Sequence, residues 1–457
     1  MSQENRLSAL DASFINLERD EMPMHIGSLE VLAGPAPGFS EFCEMLESKL
    51  DQIPRYRQRV KEVPLGLGLP VWVDDQHFNL SYHVRHVALP SPGDELQLEV
   101  LAARLMDHRL DLSRPLWEMW IIEGLADGRW ALLNKAHHAM MDGQTGRNVM
   151  EILLDAQPDT PDLFGSTWQP TPEPNTASMM SSAVVDSVTD PLHTVETVAR
   201  TLGSPKDFMT EAVNRTVGSV NSGGQLVHTE DYLTGPVGPH RRWRWERLSL
   251  PEIKEAKNTH GGTVNDVLLS LVASGLRELF LSRGLPLPLS ASVRTMVPVS
   301  MRAPGDDSGG NIVAAVFADL PVGEESAKQR LHSVHEQMDH VKRTGQALSA
   351  PTILALAPFV PPGLLAAGGR LGAKLPQRAV GTVTTNVPGP QQPLYLMGRE
   401  VLAVIPFVPL GPRVQVAFAM TSYNGSVWMG ITADWDEFPD VAQIQTGVRE
   451  AMAALLS

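Results

Sequence analysis

The chain has 457 residues, a single cysteine, and 52 acidic against 37 basic side chains, a formal net charge of −15. That balance excludes a general nucleic-acid surface, which needs exposed basic residues to neutralise phosphates, and one cysteine excludes an internal disulfide or a cysteine-rich zinc site. The length suits two to three domains at about 150 residues each, and 43% hydrophobic residues suit large packed cores rather than disorder.

The opening residues, MSQENRLSALDASF, place no basic start before an apolar run, so no secretory signal is expected. No stretch of about 20 residues is continuously apolar, so no transmembrane helix is expected. The nearest candidate, Thr344 to Gly369, carries no charge but holds Pro351, Pro358, Pro361 and Pro362. Proline breaks helices, and the segment reads as buried or interfacial.

In chain order, Phe42, Met45, Leu46, Leu50 and Ile53 recur at helical spacing after Ser40, a candidate cap, and Pro54 should stop that helix. A second helix should begin near Asp94, with Leu98, Leu101 and Leu105 aligned. Two strand-like runs follow, Trp117 to Ile122 and Trp130 to Lys135, joined by the turn Ala126-Asp127-Gly128. Val149, Ile152 and Leu153 mark another helix. Pro158, Pro161, Pro170, Pro172 and Pro174 then signal a linker, and residues 157–239 read as a long, partly helical connection.

A new folded half opens with an alternating strand from His240 to Leu250. Thr263-Val264-Asn265-Asp266 fits a capping box before a stripe of Val267, Leu268, Leu271, Val272, Leu276 and Leu279. Strands are predicted at 292–299, 311–320, 379–387, 399–407, 413–421 and 426–434, and helices near 325–343 and 440–456. The pattern implies two α/β (α+β) domains of similar size, 1–156 and 240–457.

The most informative residues are His137-His138-Ala139-Met140-Met141-Asp142-Gly143, where a strand hands over to a helix. A strand end fixes a side chain rigidly beside an accessible loop. A neutral imidazole there can accept a proton near pH 7, and glycine lets the backbone turn tightly. Two histidines, an aspartate and a glycine at this spacing would arise by chance in such a chain on the order of 10⁻³ of the time. Adjacent strand residues point to opposite faces, so His137 and His138 are poorly placed to share a metal ion. Asp142 also suits a plain helix cap.

HHxxxDG is the signature of the CoA-dependent acyltransferase superfamily, which includes chloramphenicol acetyltransferase and peptide-synthetase condensation domains. Further motifs narrow the resemblance. Pro115-Leu116-Trp117, Asn265-Asp266-Val267, Pro298-Val299-Ser300-Met301-Arg302, Gly310-Asn311 and Thr385-Asn386-Val387-Pro388-Gly389-Pro390 resemble, in order, the motifs of bacterial wax ester synthase/diacylglycerol acyltransferases. So do Leu7-Ser8, Asp11, Phe14 and Pro23-Met24-His25-Ile26-Gly27 at the start. The match spans nearly the whole chain and most resembles actinobacterial triacylglycerol synthases. Thr385 stands where serine is commoner in that family.

The resemblance implies two chloramphenicol-acetyltransferase-like domains and transfer of a long-chain acyl group from acyl-CoA to diacylglycerol or a fatty alcohol. No permanently bound cofactor or metal is implied. His138 would be the general base, with His137 and Asp142 in support. Gly143, Asn265, Asp266, Thr385 and Asn386 would shape the site or the oxyanion donor; Thr384 is a further candidate. Trp117 and Arg302 would approach substrate. Arg241, Arg242, Arg244, Arg247 and Arg294 are candidates for CoA phosphates, though a solvated strand face explains them as well. The expected location is cytoplasmic, with room for contact at a membrane or lipid-droplet surface. An acyltransferase of the same fold using another alcohol or a carrier-linked acyl group, and a non-catalytic acyl-chain binder, remain as alternatives.

Overall fold

Alternation of apolar and polar residues builds two mixed sheets, seen in a computed structural model that describes residues 5–64, 68–141, 149–159, 168–176, 179, 227–300, 313–344 and 380–457. The first sheet runs β12-β13-β1-β6-β5-β4. Its strands are β1 (His25–Leu32), β4 (Val84–Ala88), β5 (Trp117–Glu123), β6 (Trp130–His137), β12 (Tyr395–Leu396) and β13 (Arg399–Phe407). All neighbours are antiparallel except β4 and β5. A separate hairpin pairs β2 (Gln58–Lys61) with β3 (Val71–Asp74).

The second sheet runs β10-β9-β11-β14-β15-β8, with β7 beside β9. It uses β7 (Val227–His228), β8 (Arg241–Ser249), β9 (Ala291–Ser300), β10 (Val313–Leu320), β11 (Thr382–Pro388), β14 (Val416–Tyr423) and β15 (Ser426–Asp434). Strand β11 is parallel to both β9 and β14.

The helices follow local signals. Among the described residues, α1 (Ala9–Leu17) starts at Ser8, whose Oγ accepts the Asp11 N–H. The next, α2 (Phe39–Lys49), is capped at Gly38, not at Ser40 as the sequence suggested. Glu41 reaches back to accept the Gly38 N–H, while Ser40 Oγ donates to Glu44. That helix ends at Lys49, ahead of Pro54, which instead opens a 3-10 turn (Pro54–Arg57). A short helix, α3 (Leu80–His83), precedes α4 (Glu95–Asp107), which has a full capping box at Asp94.

In the second half, α5 (Leu250–His260), α6 (Val264–Ser282), α7 (Ala327–Thr344) and α8 (Ala442–Leu456) cover one face of the sheet. Thr263 caps α6 with Asp266 in reciprocal contact. The predicted apolar stripe of α6 is wholly buried, packed against Val293, Phe418 and Ile431 of the sheet and Ile444 and Val448 of α8.

The two halves are interlocked by the excursion that carries β12 and β13 into the first sheet. After β11 the chain leaves the second sheet, and β13 adds to the first, pairing Gly27 with Phe407 through Leu32 with Val401. It then returns as β14. Leu29 and Val31 of β1, Leu98 and Ala102 of α4, Trp243 and Trp245 of β8, and Ile405 and Phe407 of β13 form one shared core. The Trp243 and Phe407 rings meet edge to face at 5.0 Å. Gly430 permits this closeness: a Cβ there would lie 2.0 Å from the Pro406 carbonyl oxygen.

Candidate active site

Strand β6 delivers the histidine pair. The His137 N–H donates to the Leu116 carbonyl at 2.9 Å, and the His138 N–H donates to the Met24 carbonyl at 2.8 Å. The chain then turns, with the Met140 N–H donating back to His137 O at 2.9 Å. The pair is thus tied to the residues just ahead of β5 and β1, which fixes the backbone on both sides.

The two side chains part, as strand alternation requires. His138 is half-buried and stacks on Phe14 of α1, ring centroids 3.9 Å apart and planes 19° from parallel. His137 is fully buried and lies opposite His25 in the β1–β6 register. Its Nδ1 accepts the Ala139 N–H at 3.0 Å, and its Nε2 lies 3.5 Å from Glu18 Oε1.

Glu18 anchors this buried cluster. Oε1 accepts the Met24 N–H at 3.2 Å, and Oε2 accepts from Arg109 Nη2 at 2.9 Å. Burial pushes the carboxyl up, but the facing His137 and Arg109 side chains overcome it and hold it down to about 2. Burial holds the pKa of the His25 imidazole well below its ordinary range, with Lys135 adding to the effect. Its Nδ1–H donates to Met106 O at 3.1 Å, and its Nε2 accepts the Leu110 N–H at 3.3 Å. That pattern describes a neutral imidazole. Lys135, two residues before His137 and so on the same face, donates to Leu105 O at 2.9 Å and to His108 O, beyond the end of α4. Burial pulls its ammonium down to about 8. Glu18 and Arg109 were not singled out in the sequence.

A second group gathers where α6 meets β11. Asn386 Nδ2 donates to Asn265 Oδ1 at 3.3 Å. Asp266 is buried; its Oδ2 accepts the Thr263 N–H at 2.9 Å and faces His335 Nδ1 of α7 at 2.9 Å. Two motifs distant in sequence are therefore joined by their asparagines. Thr384 is buried and shares a hydrogen bond with Thr295 Oγ1 at 2.9 Å.

Register separates Thr385 from Asn386. Thr385 aligns with Ala419, Ala419 with Gly430, and Gly430 with Trp245, all on the face turned toward the first sheet. Asn386 aligns with Met420 on the helix-covered face. Of the two, only Thr385 faces the first sheet.

Trp117 sits in the core. Its Nε1–H donates to Tyr56 O at 2.7 Å, and its ring stacks on His83 at 4.6 Å. The candidate arginines of β8 and β9 already have partners. Arg241 is buried and donates to Gly238 O and Glu21 O. Arg242 lies over Trp435, Arg244 pairs with Glu99, Arg247 donates to Ser426 Oγ, and Arg294 pairs with Asp319. Asp142, Gly143, Arg302, Gly310, Asn311 and the charge-free stretch from 345 to 369 lie outside the described residues. Among the described residues, no cluster of histidines, cysteines and carboxylates is arranged to hold a metal ion, and no helix is long and apolar enough to cross a membrane.

The comparisons with known proteins agree with one another. The model of the wax ester synthase/diacylglycerol acyltransferase catalytic domain matches residues 7–268, and that of the WS/DGAT C-terminal domain matches residues 309–456. A Mycobacterium tuberculosis protein named "Probable diacyglycerol O-acyltransferase" is 36% identical, covering 99% of this chain and 96% of its own. The solved wax ester synthase/diacylglycerol acyltransferase from Marinobacter aquaeolei VT8 superposes with a TM-score of 0.69 at 26% identity, covering 98% of each chain. A trichothecene 15-O-acetyltransferase from Fusarium sporotrichioides shares the fold, with a TM-score of 0.59 at 14% identity over 99% of this chain and 94% of that one. With two family models matching in order and a relative this similar along its full length, the chain belongs to the wax ester synthase/diacylglycerol acyltransferase family.

Proposed function

We propose that this protein transfers a long-chain fatty acyl group from acyl-CoA to the hydroxyl of diacylglycerol, making triacylglycerol, and to long-chain fatty alcohols, making wax esters. The observation that carries the reading is a half-buried His138 at a strand end, backbone-tied and stacked on Phe14, in a chain of this family. A base so held can meet a hydroxyl without reorganising.

In this reading the alcohol oxygen attacks the thioester carbonyl carbon while His138 takes the hydroxyl proton. The C–S bond then breaks, and His138 returns the proton to the departing thiolate, releasing CoA with a free thiol. General-base catalysis contributes about 10²–10⁴ in rate. The oxyanion of the tetrahedral intermediate needs a donor. Thr385 is assigned that role because its strand register turns it toward the first sheet. Asn386 and Asn265 hold the strand from behind. Asp142, Gly143 and Arg302 keep the supporting and substrate-binding roles that the family's motifs imply.

The halves 1–156 and 240–457 are taken as chloramphenicol-acetyltransferase-like domains joined by residues 157–239, and the enzyme works in the cytoplasm at or near a lipid surface. The test is product identity. Purified protein is given isotope-labelled oleoyl-CoA with dioleoylglycerol or hexadecanol, and lipids are identified by mass spectrometry. Labelled triacylglycerol or wax ester is expected. Acyl-chain binding with no ester formed across a panel of alcohols would overturn the reading in favour of a non-catalytic lipid binder.

A further inference from the structure

We propose that Glu18 is a positioning residue for the histidine base, fixing both the tautomer of His137 and the backbone of His138. The inference rests on the acyl-transfer reading above and names a residue outside the histidine motif.

Three contacts carry it. First, Glu18 Oε1 accepts the Met24 N–H at 3.2 Å, and the Met24 carbonyl accepts the His138 N–H at 2.8 Å. One carboxylate oxygen therefore holds the residue that holds the base. Second, His137 Nδ1 is occupied as an acceptor from Ala139 at 3.0 Å. A neutral ring must then carry its proton on Nε2, and that atom faces Glu18 Oε1 at 3.5 Å. Third, Arg109 holds the other carboxylate oxygen at 2.9 Å, so the carboxylate cannot swing away from the histidines.

The neighbouring groups do not substitute for Glu18. His25 is also near Oε1, at 3.6 Å, but both its nitrogens are engaged by backbone groups. Lys135 is spent on the carbonyls of Leu105 and His108. Arg109 reaches Glu18 from the solvent side and also pairs with Asp20. A buried carboxylate is costly unless firmly paired, and a neutral amide could make the same backbone contact. A fixed negative charge beneath the histidine turn does something an amide cannot. It favours the imidazolium that forms on His138 as the hydroxyl proton is taken.

The test compares wild type, Glu18→Gln and Glu18→Asp in the full chain. Glu18→Gln should lower kcat by about 10–100-fold, with KM for oleoyl-CoA within about threefold. The acid limb of its kcat–pH profile should move to lower pH, because losing the negative charge makes His138 easier to deprotonate. Glu18→Asp should recover part of the rate. Unfolding midpoints are recorded for all three. Unchanged kcat and pH profile in Glu18→Gln overturns the proposal, as does a rate loss that only follows the loss of folded protein. ¹⁵N spectra of the histidine rings give a readout without turnover. A ring with unprotonated Nδ1 and protonated Nε2 should change in Glu18→Gln, and no change overturns the proposal. Failure of wild type to make ester, with that spectral change present, would defeat the acyl-transfer reading while leaving Glu18's hold on His137 established.

Discussion

Glu30 on β1 is fully buried, with no cation beside it among the described residues. Its oxygens accept from Ser28 Oγ and Asn134 Nδ2, each at 2.6 Å. Burial pushes its carboxyl up to about 7 from an ordinary 4.5, against the pull of those two donors. A raised carboxyl pKa means the folded state holds the proton more tightly than the unfolded chain. Stability is therefore full below about pH 4.5, falls as pH rises toward 7, and then levels off. At 1.36 kcal/mol per pKa unit, the penalty is about 1 kcal/mol at pH 5, about 2 at pH 6 and about 3 at pH 8. Glu30→Gln removes the ionisation. Asn134 can turn to accept the new amide N–H, since its Oδ1 has no partner among the described residues. Urea unfolding of both proteins from pH 5 to pH 8 should show the variant more stable by about 3 kcal/mol at pH 8, with the gap narrowed to about 1 kcal/mol at pH 5. A variant no more stable than wild type at pH 8, or a gap that ignores pH, would refute this account of the site.

Trp117→Leu should cost about 3 kcal/mol of stability in urea unfolding while leaving KM for both substrates unchanged, because the indole serves the Tyr56–His83 core. Asn265→Ala and Asn386→Ala should each lower kcat by similar factors, and the double variant should add little, since the two side chains form one contact. Thr385→Val should lower kcat about 10²-fold, whereas Thr385→Ser should keep most activity, because the hydroxyl is what the oxyanion needs.

Local signals were legible wherever they were sufficient. The helix start near Asp94, the Thr263 capping box, the stripe of α6, and the strands at 399–407 and 426–434 all appear where patterning puts them. Ser40 misled because a glycine with Glu41 three residues on caps as well as a serine does. The crossing of β13 could not be read locally. Its alternation says strand but not which sheet, and the answer depends on a register with β1 set some 370 residues earlier. The histidine motif was legible because its residues are contiguous. Glu18 was not, since a carboxylate gains meaning only when the fold buries it against His137, Met24 and Arg109. Strand alternation already put Thr385 and Asn386 on opposite faces, but only the register of β11 shows which of them turns toward the first sheet.

The central claim is direct acyl transfer from CoA to an alcohol by way of His138. It is tested most directly by thiol release from oleoyl-CoA, followed continuously in wild type and His138→Ala, with and without dioleoylglycerol or hexadecanol. Wild type should release CoA only when an acceptor is present, and His138→Ala should fall by about 10²–10⁴-fold while staying folded. Acceptor-independent release, or normal turnover by His138→Ala, would contradict the account.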